Sequence, residues 1–330
     1  MPALPKTPRK ISPFVSITLK VLLTLTAFWL AFRDVNWDSF KQMLSEQSLL
    51  FITLAAGCMM GQILLGALRW RFILAALSEH GSRVMPFTEA FRIYYISVFF
   101  SNCLPGTIGG DVVRIWITRS DRIPLGLTVN SIIIDRLLAL TGVMFLLLCM
   151  LPVLSGIIDF DPWMLFFGFI LLAMIGCFLI IQVDHALERF EHIKTIKLLR
   201  YFFNCMRLLI NKPVMSALSL IFATLSHVFY GLCTFVLAQG MGVELSLIEC
   251  IALMPLVMLV ITMPISIAGW GVREAVMVQL LALVGVAGTA AVAISLQLGI
   301  LNVLVSLPAA FLWLSVKDRP QMRTIMKDES

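Results

Sequence analysis

Apolar runs of helical length follow one another along the chain, separated by short polar segments. Unbroken runs cover 14–32, 49–77, 125–151, 162–182, 214–237 and 288–316. Each is close to or above the ~20 residues a helix needs to cross a bilayer. Two more stretches, 87–118 and 247–283, are apolar but interrupted by Pro and Gly, so each reads as a pair of arms. In the first, the second arm (108–118) is far too short to cross, which predicts a re-entrant helical hairpin. The arms of the second are longer and also admit full crossings. The expected fold is an all-α polytopic membrane protein: about six full spans plus two broken-helix re-entrant hairpins in an inverted repeat. It forms one transmembrane domain over 1–330. A first half (about 14–182, hairpin 87–118) and a second half (about 214–316, hairpin 247–283) flank a polar segment at 184–212.

Basic residues set the orientation. Lys6, Arg9 and Lys10 precede the first run, which is too long for a signal peptide and lacks an A-x-A site, so it reads as an uncleaved span. The 33–47 loop balances Arg33 and Lys41 against Asp34, Asp38 and Glu46 and belongs outside. Arg69-Trp70-Arg71, towards the inner end of the second run, reads as an interfacial anchor whose arginines snorkel to phosphates. Arg83 and Arg92 flank one end of the first hairpin and Arg119 and Arg122 the other, so it opens to the cytoplasm. The outer loop with Pro152, Asp159 and Asp161 has no base. Segment 184–212 carries Arg189, Lys194, Lys197, Arg200, Arg207 and Lys212 with apolar residues at intervals, a cytoplasmic amphipathic helix on the inner leaflet. The 239–246 loop holds Glu244 and no base, so the second hairpin opens outward. Lys317, Arg319, Arg323 and Lys327 bring the C-terminus inside. The reading is a multi-pass protein of the cytoplasmic (inner) membrane with both termini cytoplasmic; two crossings per broken pair would give the same parity.

Composition agrees: 60% hydrophobic and 13% charged residues, with mean hydropathy +0.96, against roughly 45–50% and about 25% in soluble domains. A β-barrel would show short alternating segments instead. The longest polar stretch leaves no room for a soluble catalytic domain of ~100–150 residues. The net charge of +6 points to orientation and anionic headgroups, and not to nucleic acid. Cys58, Cys103, Cys149, Cys177, Cys205, Cys233 and Cys250 have no metal-ligand spacing and read as apolar fillers. His80, His185, His192 and His227 form no metal motif, so neither metal nor cofactor is expected. Nothing resembles a P-loop, so energy coupling would come from ion or lipid gradients.

The chemistry concentrates at the two breaks. Residues 102–114 read N-C-L-P-G-T-I-G-G-D-V-V-R and residues 263–274 read M-P-I-S-I-A-G-W-G-V-R-E. Without gaps, Pro105 falls on Pro264, Ile108 on Ile267, Gly110 on Gly269, Val113 on Val272 and Arg114 on Arg273. The acids Asp111, Asp135 and Glu274 and the bases Arg114, Arg136 and Arg273 lie in these broken or buried regions in equal number. Each costs about 2.5–3.5 kcal/mol at a helix centre on the lenient insertion scale. Asp135 and Arg136 must take different partners, because helix neighbours do not face each other, while Asp111 and Arg114 can share a face. One reading is that the pairs only lock the hairpins into the bundle. The other brings Arg114 and Arg273 together across the pseudo-twofold to hold a phosphate, balanced by Asp111, Asp135 and Glu274. Backbone N–H groups at Gly109, Gly110, Gly269 and Gly271 would add donors. Asn102, Gln62, Gln279, Gln297 and Asn302 could line a headgroup path or serve as helix–helix glue.

The paired motifs, with D-R at 135–136 between them, resemble the lysylphosphatidylglycerol synthase transmembrane family over about 14–316. The resemblance implies a flippase-like integral membrane protein, a lipid translocase moving a phospholipid or lipid-linked headgroup between leaflets. It places Asn102, Pro105, Gly109, Gly110, Asp111, Arg114, Asp135, Arg136, Gly269, Gly271, Arg273 and Glu274 at the family's motif positions. The family archetype adds a cytoplasmic aminoacyl-transfer domain, whereas this sequence stops at Ser330, so aminoacyl transfer is not expected. The expected partner is a membrane lipid with an anionic phosphate headgroup, with a separate synthase or glycosyltransferase to supply it. The alternatives are an integral membrane transferase acting on a lipid-phosphate carrier, with Asp111 or Glu274 as base, and a scaffold for a separate lipid synthase.

Overall fold

The computed structural model describes residues 13–78, 85–103, 109–120, 123–158, 164, 167–168, 194–262 and 269–315. Most of the run 162–182, the start of the amphipathic segment (184–193) and both Pro-containing breaks (104–108 with Pro105, 263–268 with Pro264) lie outside the described residues. So do the basic residues at 6–10, 83 and 317–327 used for orientation.

Every regular element among the described residues is an α-helix: α1 (Pro13–Phe32), α2 (Trp37–Glu46), α3 (Leu49–Leu77), α4 (Phe87–Cys103), α5 (Gly109–Ser120), α6 (Leu125–Cys149), α7 (Leu151–Ile157), α8 (Lys194–Ile210), α9 (Pro213–Gly240), α10 (Leu247–Thr262), α11 (Val272–Ala282), α12 (Gly288–Ser306) and α13 (Pro308–Leu314). Among them α3, α6, α9 and the continuous pair α12–α13 are long and apolar enough to cross a membrane. At 1.5 Å per residue, the 12 residues of α5 reach only ~18 Å, against a hydrocarbon core of ~30 Å.

Helices α3, α9 and α6 form the centre. Lipid offers no hydrophobic drive between helices, so small residues that permit close approach take its place. A Cβ on Gly61 of α3 would lie 2.4 Å from the Phe229 ring of α9, and one on Gly142 of α6 would lie 2.7 Å from the Ala223 methyl. The Cys233 thiol donates to the Ala55 carbonyl at 3.4 Å. Helix α4 packs on α3 and on α5. A Cβ on Gly110 would sit 2.1 Å from the Ser97 carbonyl, so this position admits only glycine. Gly271, at φ +79°, has the same tightness towards the Thr24 carbonyl of α1. Helix α8 docks through Cys205 and Leu209 against Ile73, Ala76 and Leu77 of α3 and Ile134 of α6.

Two segments depart from the sequence expectation. The 33–47 loop contains α2, begun by Asn36, whose side chain accepts from the Asp38 and Ser39 backbone N–H groups. Pro152 does not open a loop but sits in the first turn of α7, where its missing N–H costs nothing. The last run holds its expected length, Gly288–Leu314, with Leu307 in helical conformation and Pro308 starting α13.

Candidate functional site

The charges collect into two separate networks. In the first, Asp135 of α6 is 4% exposed and receives two arginines. Arg69 of α3 donates from Nε to Oδ1 at 2.7 Å, and Arg114 of α5 donates from both Nη atoms to Oδ2 at 3.1 Å. Both guanidinium groups are buried, at 5% and 2% exposure. Two bases and one acid leave this buried triad with one excess positive charge. Aromatic faces take up part of it: the Arg114 Cζ stands 4.1 Å from the Trp70 ring centre and 5.1 Å from that of Tyr94. Trp70 is held by donating from Nε1 to the Ser131 hydroxyl at 3.1 Å, and Tyr94 also lies against Arg69. Among the described residues the Arg114 Nε has no hydrogen-bond partner. Counted at 1.5 Å per residue, Asp135 lies about 15 Å from the start of α6 and Arg69 about 12 Å from the end of α3. Both therefore stand well inside helices of membrane length.

Immediately outside the triad, Arg136 donates to Asp111 from Nε and Nη2 at 2.9 and 2.7 Å. This pair is more open, with side chains 49% and 15% exposed, beside exposed Val112, Ile133, Leu137 and Leu140. Helices α5 and α6 are therefore joined by two rungs of opposite polarity. Inside, α5 supplies the base and α6 the acid; outside, the roles reverse. Asp135 and Arg136 take different partners, as helix neighbours must.

Among the described residues the second network closes on itself. Arg273 donates from Nη2 to its neighbour Glu274 at 2.7 Å and from Nε to Ser295 of α12 at 3.1 Å. Ser295 in turn donates to Glu274 at 3.1 Å, and the Gly271 backbone N–H donates to the other Glu274 oxygen at 2.6 Å. Arg273 also covers Trp270, 4.9 Å from its ring centre, and Gly299 leaves space for its Nη2. One base and one acid make the network neutral.

A family model, the lysylphosphatidylglycerol synthase TM region, matches residues 17–309, which include both networks. The chain belongs to this family. Comparison with curated proteins gives no match. Membership makes it a multi-pass membrane protein of the lysylphosphatidylglycerol synthase TM family, in keeping with its four membrane-length helices.

Within this family member, several sequence expectations need correction. Arg114 and Arg273 do not face each other. Helices α5 and α11 make no contact, and α12 packs against both α11 and α4. The Gly271 N–H is not offered to a ligand, because Glu274 takes it. Gly269, at φ +80°, turns the chain into α11, and its carbonyl accepts from the Arg273 N–H. Gly109 begins α5, and Gly110 packs that start on α4. Asn102 belongs to neither network: it exchanges amide hydrogen bonds with Asn302 and donates to Ser306. Gln297 pairs with Gln47. Arg69 is not a snorkelling anchor but a buried partner of Asp135. Its signal in the sequence is position, eight residues inside the end of an apolar run. Tyr94 and Ser295 carry no such mark, since hydroxyl side chains are common in spans.

Proposed function

We propose that this protein is a lipid translocase of the cytoplasmic membrane, moving a lipid with an anionic phosphate headgroup between leaflets. Both termini lie on the cytoplasmic side in this reading. The observation that carries it is the buried Arg69–Asp135–Arg114 triad, an excess positive charge that three different helices build within the bundle. A buried ion without full compensation is costly, and a lone phosphodiester is the compensation a lipid brings. Arginine suits the task because its fork binds phosphate and does not lose its proton. The Arg273–Glu274 network has the opposite character: neutral and internally bonded, it holds α11 in place. The protein binds and relocates its substrate without altering it, and a separate synthase or glycosyltransferase supplies that substrate.

The test is transfer in vesicles. Purified protein is reconstituted with fluorescent phosphatidylglycerol, and the fraction reachable by an external quencher is followed. Wild type is expected to equilibrate the two leaflets, and Arg114→Ala to slow transfer roughly tenfold or more, the loss of one charge-assisted contact. Transfer at the wild-type rate by a folded Arg114→Ala protein rejects the reading.

A further inference from the structure

We propose that His227 is a proton-binding site coupled to the arginine triad, so that a proton is taken up as the anionic headgroup binds and the two are carried together. This rests on the translocase reading and adds to it the ion that accompanies the lipid. His227 stands near the middle of membrane-length α9 and is 9% exposed. Its Nε2 lies 3.1 Å from the Ala139 carbonyl of α6. A carbonyl only accepts, so Nε2 carries the hydrogen and Nδ1 keeps a bare lone pair. Among the described residues that buried Nδ1 has no hydrogen-bond partner. Tying α9 to α6 takes one donor, which an amide side chain supplies as well. What an imidazole adds is a nitrogen that takes up a proton, and ionisable groups inside spans are costly and mark proton and substrate paths.

The triad is close by. Ala139 lies one helical turn from Asp135 on α6, and the charge of Arg69 acts on His227. The imidazole therefore stands beside a group with one excess positive charge. While that charge is uncompensated, an imidazolium next to it is repelled. A phosphodiester on the triad cancels the excess, and the repulsion goes with it. Proton and headgroup thus favour each other's binding, by the same factor in both directions. The other neighbours of α9 leave this balance alone. Tyr230, three residues on, faces the neutral Arg273–Glu274 network. Helix α12 carries no titratable side chain. In α10, Glu249 is held by Ser246, and α8 meets α9 at its first turn, through Leu209 and Ser216. The gain is electrical: a monoanion carried alone moves charge through the membrane potential, whereas an anion with its proton crosses as neutral cargo.

Binding tests the site. The full chain in detergent is titrated with fluorescent short-chain phosphatidylglycerol, read by anisotropy, from about pH 8 to about pH 5. The phosphodiester keeps its single charge throughout, so a change in affinity reports the protein. Wild type is expected to bind about fivefold more tightly at the acid end. His227→Gln, whose amide still donates to the Ala139 carbonyl, is expected to bind equally at both ends. A wild type indifferent to pH overturns the proposal whether or not the variant folds. So does a pH dependence that persists in folded His227→Gln. In vesicles, a pH gradient is expected to shift labelled phosphatidylglycerol towards the alkaline side beyond the shift in protein-free vesicles, and His227→Gln to abolish that excess. Wild type that equilibrates the leaflets with no bias from the gradient keeps the translocase and loses the proton coupling. Binding linked to pH without any transfer overturns the translocase and leaves the proton site standing.

Discussion

Asp135 uses two oxygens to hold two guanidinium groups, and that ratio ranks the substitutions around it. Asp135→Asn strands two buried arginines. Removing one partner of a buried pair costs about 3–5 kcal/mol, so this variant should lose more thermal stability in detergent than Arg69→Gln, which leaves the Arg114 pair intact. A thermal-unfolding series on the two proteins checks the order. The sequence exposed Asp135, Arg114, Arg273 and Glu274 because a charge inside an apolar run is conspicuous by its cost. It did not expose Arg69, because snorkelling and burial differ only in how a helix is rotated against its neighbours. Position 69 lies on the face of α3 with Ile73, Ala76 and Leu77, turned towards the bundle, and only the packed structure shows that.

Among the elements, the long helices were legible from run length, since lipid requires each backbone to satisfy its own hydrogen bonds. Their ends were less so. Pro152 was read into a loop, yet it sits in a first turn, as do Pro213 and Pro308, and Pro255 lies within α10. At a first turn the lost N–H has no helical partner to lose. Cross-element capping was also invisible. Lys212 reaches from the start of α9 to the carbonyls of Ala75, Ala76 and Ser78 at the end of α3, the shortest contact being 2.7 Å. A cation there satisfies orphan carbonyls and complements the helix dipole, worth about 0.3–1 kcal/mol. Lys212→Met should leave global stability nearly unchanged but speed amide exchange over residues 75–78, measured by hydrogen–deuterium exchange.

For the molecule as a whole, the echo between 102–114 and 263–274 suggested that their arginines meet, whereas Arg114 and Arg273 stand in separate networks. Motif likeness carries no information about what stands between two elements; here α4 and α12 do. The centre of α3, α6 and α9 rests on close approach of small residues, so bulk there acts at a distance. Gly142→Leu would drive a side chain into Ala223 and the Thr224 backbone nitrogen, 2.7 and 2.9 Å from the new Cβ. It should force α6 away from α9, costing about 1–3 kcal/mol, and impair lipid transfer with every charged residue still in place. Unfolding and vesicle transfer measured on the same preparation test both parts.

Helix α12 touches both charged neighbourhoods. Ser295 sits in the Arg273–Glu274 network, and two turns further on Asn302, Val305 and Ser306 hold α4 through Asn102 and Tyr95. About 10 Å of rigid rod separates these attachments. A displacement of α11 therefore reaches α4 as a push on a shaft, with no flexible joint to absorb it. The two broken-helix regions thus share one rod, fastened at one end by Ser295 and at the other by Asn302, Val305 and Ser306.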